Sequence, residues 1–264
     1  MSWNLWWRFG PWEQRQRAII ETIRTVDPDV ICLQEVWSSA TTSLATIIGD
    51  ELGYEATASS VFGRSEIGFA NAVLSRWTAD LICDEPLPRR DGQPGHRRIA
   101  VAGVHTPWGQ WPIASTHLDH RFDDSLARQA QVRRVLELAM SSRGDPMTDL
   151  PVILGGDLNA VPDSDEIRMI TGRMDGVAGI VMSDAWEQVG TGDGWTWTRD
   201  NPYSADTAWP NRRIDYVMVS WPRPKPTGNP LAACLAATGP VEIDGDLVWA
   251  SDHAAVVVDL TTPE

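Results

Sequence analysis

The sequence predicts an α/β fold in which two mixed β-sheets pack face to face and carry helices on their outer sides, a four-layer sandwich. Three observations predict it. Short β-rich apolar segments alternate with helical patterns through most of the 264 residues. Several predicted strands are apolar throughout, which is typical of strands covered on both faces. The strands on either side of the two longest loops match in character and therefore have to share one core, as in layered α/β architectures.

The first part of the chain alternates strand, helix, strand and helix. Residues 2–7 form an apolar strand, and residues 13–26 carry apolar side chains on one helical face. Pro28 stops this helix, because a proline disfavours helical geometry in the residue before it. Residues 29–36 are mostly apolar and are predicted as a central strand. The second helix is predicted over residues 39–52, where the following glycine is a usual C-terminal stop.

The rest of the chain contains mostly strands. A third helix is predicted over residues 125–142 and a short fourth helix over residues 165–170. The remaining segments are β-rich and apolar, and turn residues separate them. We predict these strands at residues 55–59, 68–75, 98–104, 111–117, 150–159 and 212–220, around Leu235 and at residues 253–260.

All of these elements are predicted to belong to one domain spanning residues 1–264. Two loops rich in Pro, Gly and Trp, at residues 190–212 and 222–230, do not resemble domain linkers. The hydrophobic fraction of 42% and the charged fraction of 22% are ordinary for a soluble globular protein. No run of about 18 apolar residues occurs, so we expect no transmembrane segment.

The N-terminus and the cysteines bear on the cellular compartment. The N-terminus lacks the basic start, apolar stretch and cleavage site of a secretory signal, so we expect a cytoplasmic protein unless residues that precede Met1 are missing. Cys32, Cys83 and Cys234 are odd in number and follow no metal-ligand spacing. We expect free thiols, with Cys32 buried in a strand, and a monomeric protein.

The charge of the chain limits its partners. The net charge of −14 and the pI near 4.7 argue against an extended basic surface for duplex nucleic acid, because the overall field repels polyanions. Part of this acidity is expected to be a carboxylate cluster, whose local field a bound cation would reverse. Arg89, Arg90, Arg97 and Arg98 form a local basic patch that either meets phosphate or solvates a hairpin.

Polar residues stand at the ends of the apolar strands, where a buried sheet presents them at one rim. Burying several carboxylates there without partners would cost several kcal/mol or shift their protonation. Such a cluster therefore predicts a cation, a catalytic network, or both. Its members are Asn4, Glu35, His117, Asp119, Asp157, Asn159, Asp215, Asp252 and His253.

The residue types of this cluster are those that phosphoester hydrolysis needs. A hard cation such as Mg²⁺ prefers carboxylate oxygens, which suits Glu35 and an aspartate better than a cysteine or histidine cage. Asp157 and His253 are the bases available to orient or deprotonate an attacking water. An aspartate hydrogen-bonded to a histidine supports the positive form of the imidazole, and we predict Asp215 as that partner of His253.

At this point the chain resembles the endonuclease/exonuclease/phosphatase superfamily over nearly its whole length. Each motif that carries the resemblance is short enough to recur by chance, but the ordered set is specific. The resemblance implies a DNase I-like fold and a hydrolase that depends on Mg²⁺ or Mn²⁺. The motifs are Asn4 in the first strand, LQEV (33–36), NAVLSR (71–76), STHLD (115–119), GGDLNAVP (155–162), RRIDYV (212–217) and SDHAAV (251–256).

The resemblance also implies a role for each matched residue. Glu35 would be the principal metal ligand, with Asn4 and Asp252 nearby. His117 stands where some branches of the superfamily carry a histidine that contacts phosphate or donates a proton, and others carry a tyrosine. The histidine makes the chain more similar to the branches that contain DNase I and sphingomyelinases than to the abasic-site nucleases. The implied catalytic residues are Asp157, Asn159, Asp215, His253 and His117.

Several of these residues also have a purely structural interpretation. Glu35 alone could be a strand-end carboxylate satisfied by backbone donors, and Asn159 could belong to an Asx turn. His117 could be an ordinary hydrogen-bonded core histidine. The complete set of motifs favours catalysis. The remaining histidines are interpreted as solvated or structural, namely His96, His105 and His120.

Three residues are candidates for substrate binding. Asn71 is expected mainly to orient its neighbours by hydrogen bonds, with a substrate contact as the alternative. The loop over residues 190–212 combines tryptophans with arginines, a mixture able to stack on a ring and meet phosphate. We therefore predict that Trp209 and Arg212 help to define the substrate pocket.

The sequence thus predicts a hydrolase of phosphate esters. A phosphodiesterase is favoured, whose substrate is either a nucleic acid or a small or lipid-borne phosphodiester. A phosphomonoesterase of sugar or inositol phosphates is the first alternative. A catalytically silent binding module on the same fold is the second, and the complete set of metal and base residues argues against it.

Overall fold

The computed structural model describes residues 1–63 and 66–263, in which two six-stranded sheets pack face to face. In chain order the elements are β1 (Ser2–Asn4), α1 (Trp12–Val26), β2 (Val30–Ser38), α2 (Leu44–Leu52), β3 (Glu55–Ala58), β4 (Gly68–Ser75), β5 (Ala79–Pro88), β6 (Pro94–Thr106), β7 (Gly109–His117), α3 (Ser125–Ser141), β8 (Ile153–Asp157), α4 (Asp165–Ile170), β9 (Val181–Asp184), α5 (Ala185–Val189), β10 (Asp215–Trp221), β11 (Pro230–Ala236), β12 (Val241–Ile243), β13 (Asp246–Val248) and β14 (Ala255–Leu260).

The two sheets are both mixed. The first has the strand order β11-β14-β1-β2-β4-β3, and the second has the order β5-β6-β7-β8-β10-β9. In each sheet one neighbouring pair is parallel, β1 with β2 and β7 with β8, and the other pairs are antiparallel. The short strands β12 and β13 form a separate hairpin. The predicted sandwich of two mixed sheets with helices outside is confirmed.

Successive side chains of a strand point to opposite faces of its sheet, and this alternation separates the layers of the core. On β2, Ile31 and Leu33 pack in a cluster with residues of α1 and α2, such as Ile19 and Ile48. Cys32, between them in sequence, faces the opposite way and packs against the second sheet, as the two-residue period of a strand requires. Helices α3 and α4 cover the outer face of the second sheet. The layers therefore run helix, sheet, sheet, helix.

The two sheets approach each other closely where β2 faces β8. A Cβ atom on Gly155 would lie 2.5 Å from the Cβ atom of Cys32, closer than real Cβ atoms come. Only glycine therefore allows this separation of the backbones. Further along the two strands, Glu35 of β2 and Asp157 of β8 both lie beside His117.

Several predicted boundaries are wrong, for local reasons. The first strand ends at Asn4 and not at residue 7, because Trp6 and Trp7 have left-handed φ angles of 57° and 39°. Helix α2 begins at Leu44 and not at residue 39, because the Ser43 side chain caps it by accepting a hydrogen bond from the amide of Thr46.

Five elements have no counterpart in the prediction: β5, β9, α5, β12 and β13. Strand β5 lies at an edge of its sheet, is exposed along much of its length and is interrupted by register shifts, so its sequence lacks an apolar pattern. The other four have only three to five residues each, too few to establish a period.

Two further predictions concern the whole chain. Cys32, Cys83 and Cys234 are free thiols and Cys32 is buried, as expected. No helix in the described part of the chain is long and apolar enough to cross a membrane.

Candidate active site

Three predicted site residues lie side by side at the rim of the second sheet. In the register of this sheet His117, the last residue of β7, pairs with Asp157, and Asp157 pairs with Asp215, the first residue of β10. Side chains opposite one another on neighbouring strands point to the same face and lie about 5 Å apart. Sheet pairing alone therefore assembles an imidazole and two carboxylates that point toward the first sheet.

Asp157 is the most connected residue of the rim and is only 1% exposed. Its Oδ2 atom accepts a hydrogen bond of 3.0 Å from Nδ2 of Asn4, and its Oδ1 atom accepts one of 2.9 Å from the amide of Asn159. Nε2 of His117 lies 3.3 Å from Oδ2. Burial, followed by the nearby charge of Asp215, raises the pKa of Asp157 to about 6. The carboxylate is thus oriented by two donors and poised near neutral pH to accept a proton.

His253 lies just before β14 and is held by Asp215. Its Nδ1 atom lies 2.8 Å from Oδ2 of Asp215, and its Nε2 atom lies 3.9 Å from carboxylate oxygens of both Asp157 and Asp252. Burial lowers the pKa of His253, but the surrounding carboxylates, Asp215 first, outweigh burial and raise it well above the ordinary value. The structure therefore favours the imidazolium form, with Nε2 directed into the site.

Glu35 sits on a β-bulge of β2. Leu33 pairs with Ala72 of β4, and Val36 pairs with Ala70. Two residues of β2, Gln34 and Glu35, therefore lie opposite a single residue of β4, Asn71. Glu35 has a left-handed φ of 51°, a strained conformation for a residue other than glycine. The bulge turns its side chain toward the second sheet, where Oε1 lies 3.7 Å from Nδ1 of His117.

One carboxylate oxygen of Glu35 is left without a partner in the part of the chain that the structure describes. Its Oε2 atom is buried and has no hydrogen-bond partner among the described residues. Burial, with a further contribution from Asp252, raises its pKa to about 7. Burial likewise raises the pKa of Asp252. A cation placed between these two groups would remove the cost that both shifts report.

Asn159 and His117 contact each other on the other side of Asp157. Nδ2 of Asn159 lies 3.0 Å from Nε2 of His117 and donates a 3.2 Å hydrogen bond to the carbonyl of Leu118. Asn159 has a φ of 49°, a conformation that asparagine tolerates. Burial, followed by the charge of Arg97, lowers the pKa of His117 well below its ordinary value, so this imidazole is neutral at pH 7.

All of these site residues except Asp215 line one cleft of about 470 Å³ between the rims of the two sheets. The polar residues of its wall include two buried or half-buried arginines that face the carboxylates. The remainder of the wall is largely aromatic. The lining residues are Asn4, Trp6, Phe9, Glu35, Phe62, Phe69, His96, Arg97, His117, His120, Phe122, Asp157, Asn159, Trp197, Arg212, Ile214, Asp252 and His253.

Arg97 is the buried cation of this cleft. It belongs to the basic patch predicted from the sequence, but its neighbour Arg98 pairs with Asp84 instead. Nη2 of Arg97 lies 3.1 Å from Nδ1 of His120, while its Nε atom is buried without a hydrogen-bond partner among the described residues. His96 and His120, interpreted from the sequence as solvated or structural, therefore stand beside a cation in the cleft. Neither belongs to the matched motifs, so only proximity reveals them.

The loop before β10 reaches the cleft through Arg212. Its Nη2 atom donates a 3.4 Å hydrogen bond to the carbonyl of Asn159, and its guanidinium lies 4.8 Å from the ring centre of Phe122. Phe122 in turn stacks on Trp209 with ring centres 4.1 Å apart. Trp209 is 45% exposed and does not line the cleft itself. It backs Phe122, a residue that no sequence signal singled out.

Asn71 lies behind the cleft and not in its wall. It is buried on β4 opposite the bulge of Glu35, and its Nδ2 atom donates a 2.8 Å hydrogen bond to the carbonyl of Arg98. This position fits the expectation that Asn71 orients its neighbours. A contact with substrate stays a prediction.

The donor set fits a hard divalent cation. Glu35, with its unpartnered oxygen, and Asp252 supply carboxylate oxygens, and Asn4 supplies an amide oxygen that already accepts a 2.9 Å hydrogen bond from the amide of Trp6. Asp157, Asp215 and His253 also bring three ligand atoms within 4.8 Å of one another. The positive form of His253 would repel a cation at this second group. The assignment of the metal to Glu35, Asp252 and Asn4 stays a prediction.

Carboxylates, imidazoles and guanidinium groups that converge at the rim of two packed mixed sheets define a phosphoesterase of the α/β-sandwich class. The particular family follows from comparison with known proteins. The Endonuclease/Exonuclease/phosphatase family model matches residues 1–253, and the chain belongs to this family. Members of the family are hydrolases of phosphate esters, which generally depend on divalent metals.

Individual relatives are more distant. Protein angel of Drosophila melanogaster is 26% identical over 224 residues, which cover 80% of this chain and 60% of that protein. TDP2 of D. rerio, solved with a single-strand DNA product, has a TM-score of 0.73 at 22% identity, covering 99% of this chain and 97% of that one. A mannosyl-6-phosphatase of Bacteroides thetaiotaomicron has a TM-score of 0.72 at 18% identity, covering 98% of each chain. At these identities the two structures show a shared fold.

Proposed function

We propose that the protein is a phosphodiesterase that requires Mg²⁺ or Mn²⁺. The observation that carries the proposal is the composition of the cleft. Its charged centre is flanked by aromatic side chains from both sheets, Phe69 on β4 and Phe122 after β7. A phosphodiester carries an organic group on each side of its phosphorus atom, and two apolar walls suit two such groups. A phosphomonoester has only one.

A divalent ion would be held by Glu35, Asp252 and Asn4, and it would stabilise the charge that develops on the phosphoryl oxygens. Asp157, oriented by Asn4 and by the amide of Asn159, would accept the proton of the attacking water.

The remaining polar groups would hold the phosphate. His253, kept positive by Asp215, would donate a hydrogen bond from Nε2 to a phosphoryl oxygen. The side chain of Asn159 and the neutral imidazole of His117 would complete the contacts on the other side of Asp157. Arg97 and Arg212 would offset the charge of the phosphate from the cleft wall.

The net charge of −14 favours a small or lipid-borne phosphodiester over a long duplex. The relatives do not decide between substrates. One was solved with a single-strand DNA product and another is named a mannosyl-6-phosphatase, so the fold occurs with different phosphate esters. A phosphomonoesterase of sugar or inositol phosphates is the second candidate, because His96, Arg97 and His120 form a cluster that suits a more highly charged phosphate.

A paired assay separates these candidates. Turnover of bis(p-nitrophenyl) phosphate and of p-nitrophenyl phosphate is measured with Mg²⁺, Mn²⁺ or EDTA, with Asp157→Asn as the inactive control. We expect metal-dependent hydrolysis that prefers the diester. A preference for the monoester would replace the proposal with the second candidate, and equal rates in EDTA would contradict metal dependence.

The same conditions then identify the natural substrate class. Single- and double-stranded DNA, RNA, sphingomyelin, inositol phosphates and nucleotides are compared at several salt concentrations. A nucleic-acid substrate predicts affinity that falls steeply with salt, because neutralised phosphates release counterions. A nearly flat response is expected for a small or lipid-borne ester.

A further inference from the structure

Arg15, on the first turn of α1, is completely buried and directs its guanidinium at backbone carbonyls. Nη1 donates hydrogen bonds of 3.0 Å to the carbonyl of Leu5 and 2.8 Å to that of Ala250. Nη2 donates bonds of 2.8 Å and 2.9 Å to the carbonyls of Trp6 and Trp7. Nε donates a 3.1 Å bond to the carbonyl of Phe9. One side chain therefore satisfies five acceptors.

These acceptors belong to two chain segments that carry site residues. The first segment, residues 5–9, directly follows Asn4. The second begins at Ala250 and continues to Asp252 and His253. Arg15 and Ala250 are 235 positions apart in the sequence, so only the tertiary structure joins the second segment to the first. The Ser251 hydroxyl adds a 2.6 Å hydrogen bond to the carbonyl of Asn4.

The first segment is strained where Arg15 holds it. Trp6 and Trp7 are consecutive residues with left-handed φ angles of 57° and 39°. Such conformations persist in bulky residues only when the surroundings enforce them. The strained turn directs the Trp7 amide to the carbonyl of Glu35, at 3.0 Å, and places the Trp6 ring in the cleft against Tyr203, with ring centres 4.5 Å apart.

Arg15 also carries a positive charge behind the carboxylate cluster. Burial lowers its pKa to about 10, and the charges of Asp252 and Glu35 act in the opposite sense. The guanidinium therefore remains charged at neutral pH. No carboxylate accepts a hydrogen bond from it in the described part of the chain, so its hydrogen bonds are all used on the backbone.

We infer that Arg15 is a positioning residue of the active site. Its guanidinium fixes the segment after Asn4 against the segment that carries Asp252 and His253. It thereby sets the spacing of the metal-binding oxygens and the place of Trp6 in the cleft. The kinetic consequences of this inference rest on the proposed function, whereas the fixing of the two segments does not.

Arg143 provides a matched control. It is also a buried arginine, 9% exposed, and it donates to the carbonyls of Pro146, Asp149 and Pro222. These acceptors lie outside the cleft wall. Replacing either arginine by lysine keeps the charge but leaves one nitrogen with three donors, fewer than the five acceptors of Arg15 or the four of Arg143. Both variants are therefore expected to unfold at a lower temperature than the wild type.

The test compares Arg15→Lys with Arg143→Lys by three measurements. Hydrogen exchange should accelerate at residues 5–9 and 250–253 only in Arg15→Lys. Its affinity for Mn²⁺, measured by calorimetry, and its kcat should each fall about 10- to 100-fold, the usual effect of removing a group that orients metal ligands. Arg143→Lys should stay within about twofold of the wild type in both quantities.

The outcomes are distinguishable. Unchanged exchange at residues 5–9 and 250–253 in Arg15→Lys would overturn the inference whatever the activity. The inference would also be overturned if the wild type is active and Arg15→Lys has the same metal affinity and the same kcat as the wild type. If residues 5–9 and 250–253 of the wild type are protected from hydrogen exchange but the wild type shows no metal-dependent hydrolysis, only the proposed function is overturned. Should Arg15→Lys not fold, Arg15→Gln replaces it, since it buries no unpaired charge.

Discussion

Nδ1 of His253 lies 2.8 Å from Oδ2 of Asp215, and neither residue is exposed. The contact joins His253, two residues before β14 of the first sheet, to the first residue of β10 in the second. Removing the carboxylate by Asp215→Asn should lower the pKa of His253, because Asp215 is the main group that raises it. We expect kcat to fall by about 10² or more, the usual scale for a positioned acid or base.

The pH profile of this variant provides a specific check. The positive form of His253 is present below its pKa and is lost as the pH rises through it. In Asp215→Asn the loss should therefore begin at a lower pH, nearer the ordinary histidine value of about 6.5. An alkaline limb of the kcat profile at the same pH in both proteins would show that Asp215 does not support His253.

Asp157 and His253 are expected to act on the same step. Asp157→Asn and His253→Ala should each lower turnover by about 10² or more. Because residues that act as a unit show non-additive losses, the double variant should be little worse than either single one. Steady-state kinetics of the three variants checks this. Losses that multiply in the double variant would mean that the two residues act independently.

Glu35→Gln tests the metal site. The amide has nearly the shape of the carboxylate but no charge, so affinity for Mn²⁺ should fall at least about tenfold while the melting temperature of the metal-free protein is kept or raised. The rise would follow from removing a buried carboxylate that lacks a hydrogen-bond partner at Oε2. Calorimetric titration measures the affinity. Glu137→Gln, on an exposed face of α3, is the control and should bind as the wild type does.

Two tryptophans of nearly equal exposure test the role of the loop before β10. Trp209 is 45% exposed and stacks on Phe122, whereas Trp195 is 43% exposed and lies outside the cleft wall. Trp209→Ala removes the ring on which Phe122 stacks, so Phe122 and the neighbouring Arg212 should be held less firmly. We expect KM to rise several-fold or the substrate preference to change. Trp195→Ala should leave KM unchanged. Equal kinetics in the two variants, with a large stability loss in Trp209→Ala, would assign Trp209 to packing.

Asp119 predicts a pH-dependent contribution to stability. Burial raises the pKa of its carboxyl group, but hydrogen bonds from the side chain and amide of Arg121 outweigh burial and lower it to about 2. The stabilisation is thus complete above the unfolded pKa of about 3.9 and is lost as the pH falls toward 2. Since Arg121 is half exposed, we expect Asp119→Asn to cost only about 1 kcal/mol at pH 7.

Urea unfolding at several pH values measures this contribution. The difference in unfolding free energy between Asp119→Asn and the wild type should shrink as the pH is lowered from 7 to 3. A constant difference would mean that the effect of the substitution is one of packing and not of the carboxylate charge.

Much of the candidate site could be predicted because its residues stand at strand ends. His117, Asp157 and Asp215 belong to strands that pair directly, so the apolar pattern that predicts the strands also predicts that their ends meet at one rim. The edge strand β5 and the β12–β13 hairpin could not be predicted in this way. Their residues are nearly all exposed or half-buried, and such positions do not require the apolar pattern that marks a strand.

The sequence by itself therefore determined the layered fold, the family and the residues that sheet pairing brings together, because all three depend on short-range patterns and on motifs in order. Only the tertiary structure decided what surrounds them. It brings Arg97, Phe122 and the ring of Trp6 into one cleft and directs Arg15 at two segments far apart in the chain. These placements depend on loop paths, on left-handed turns and on contacts between remote segments, and no periodicity of the sequence encodes them.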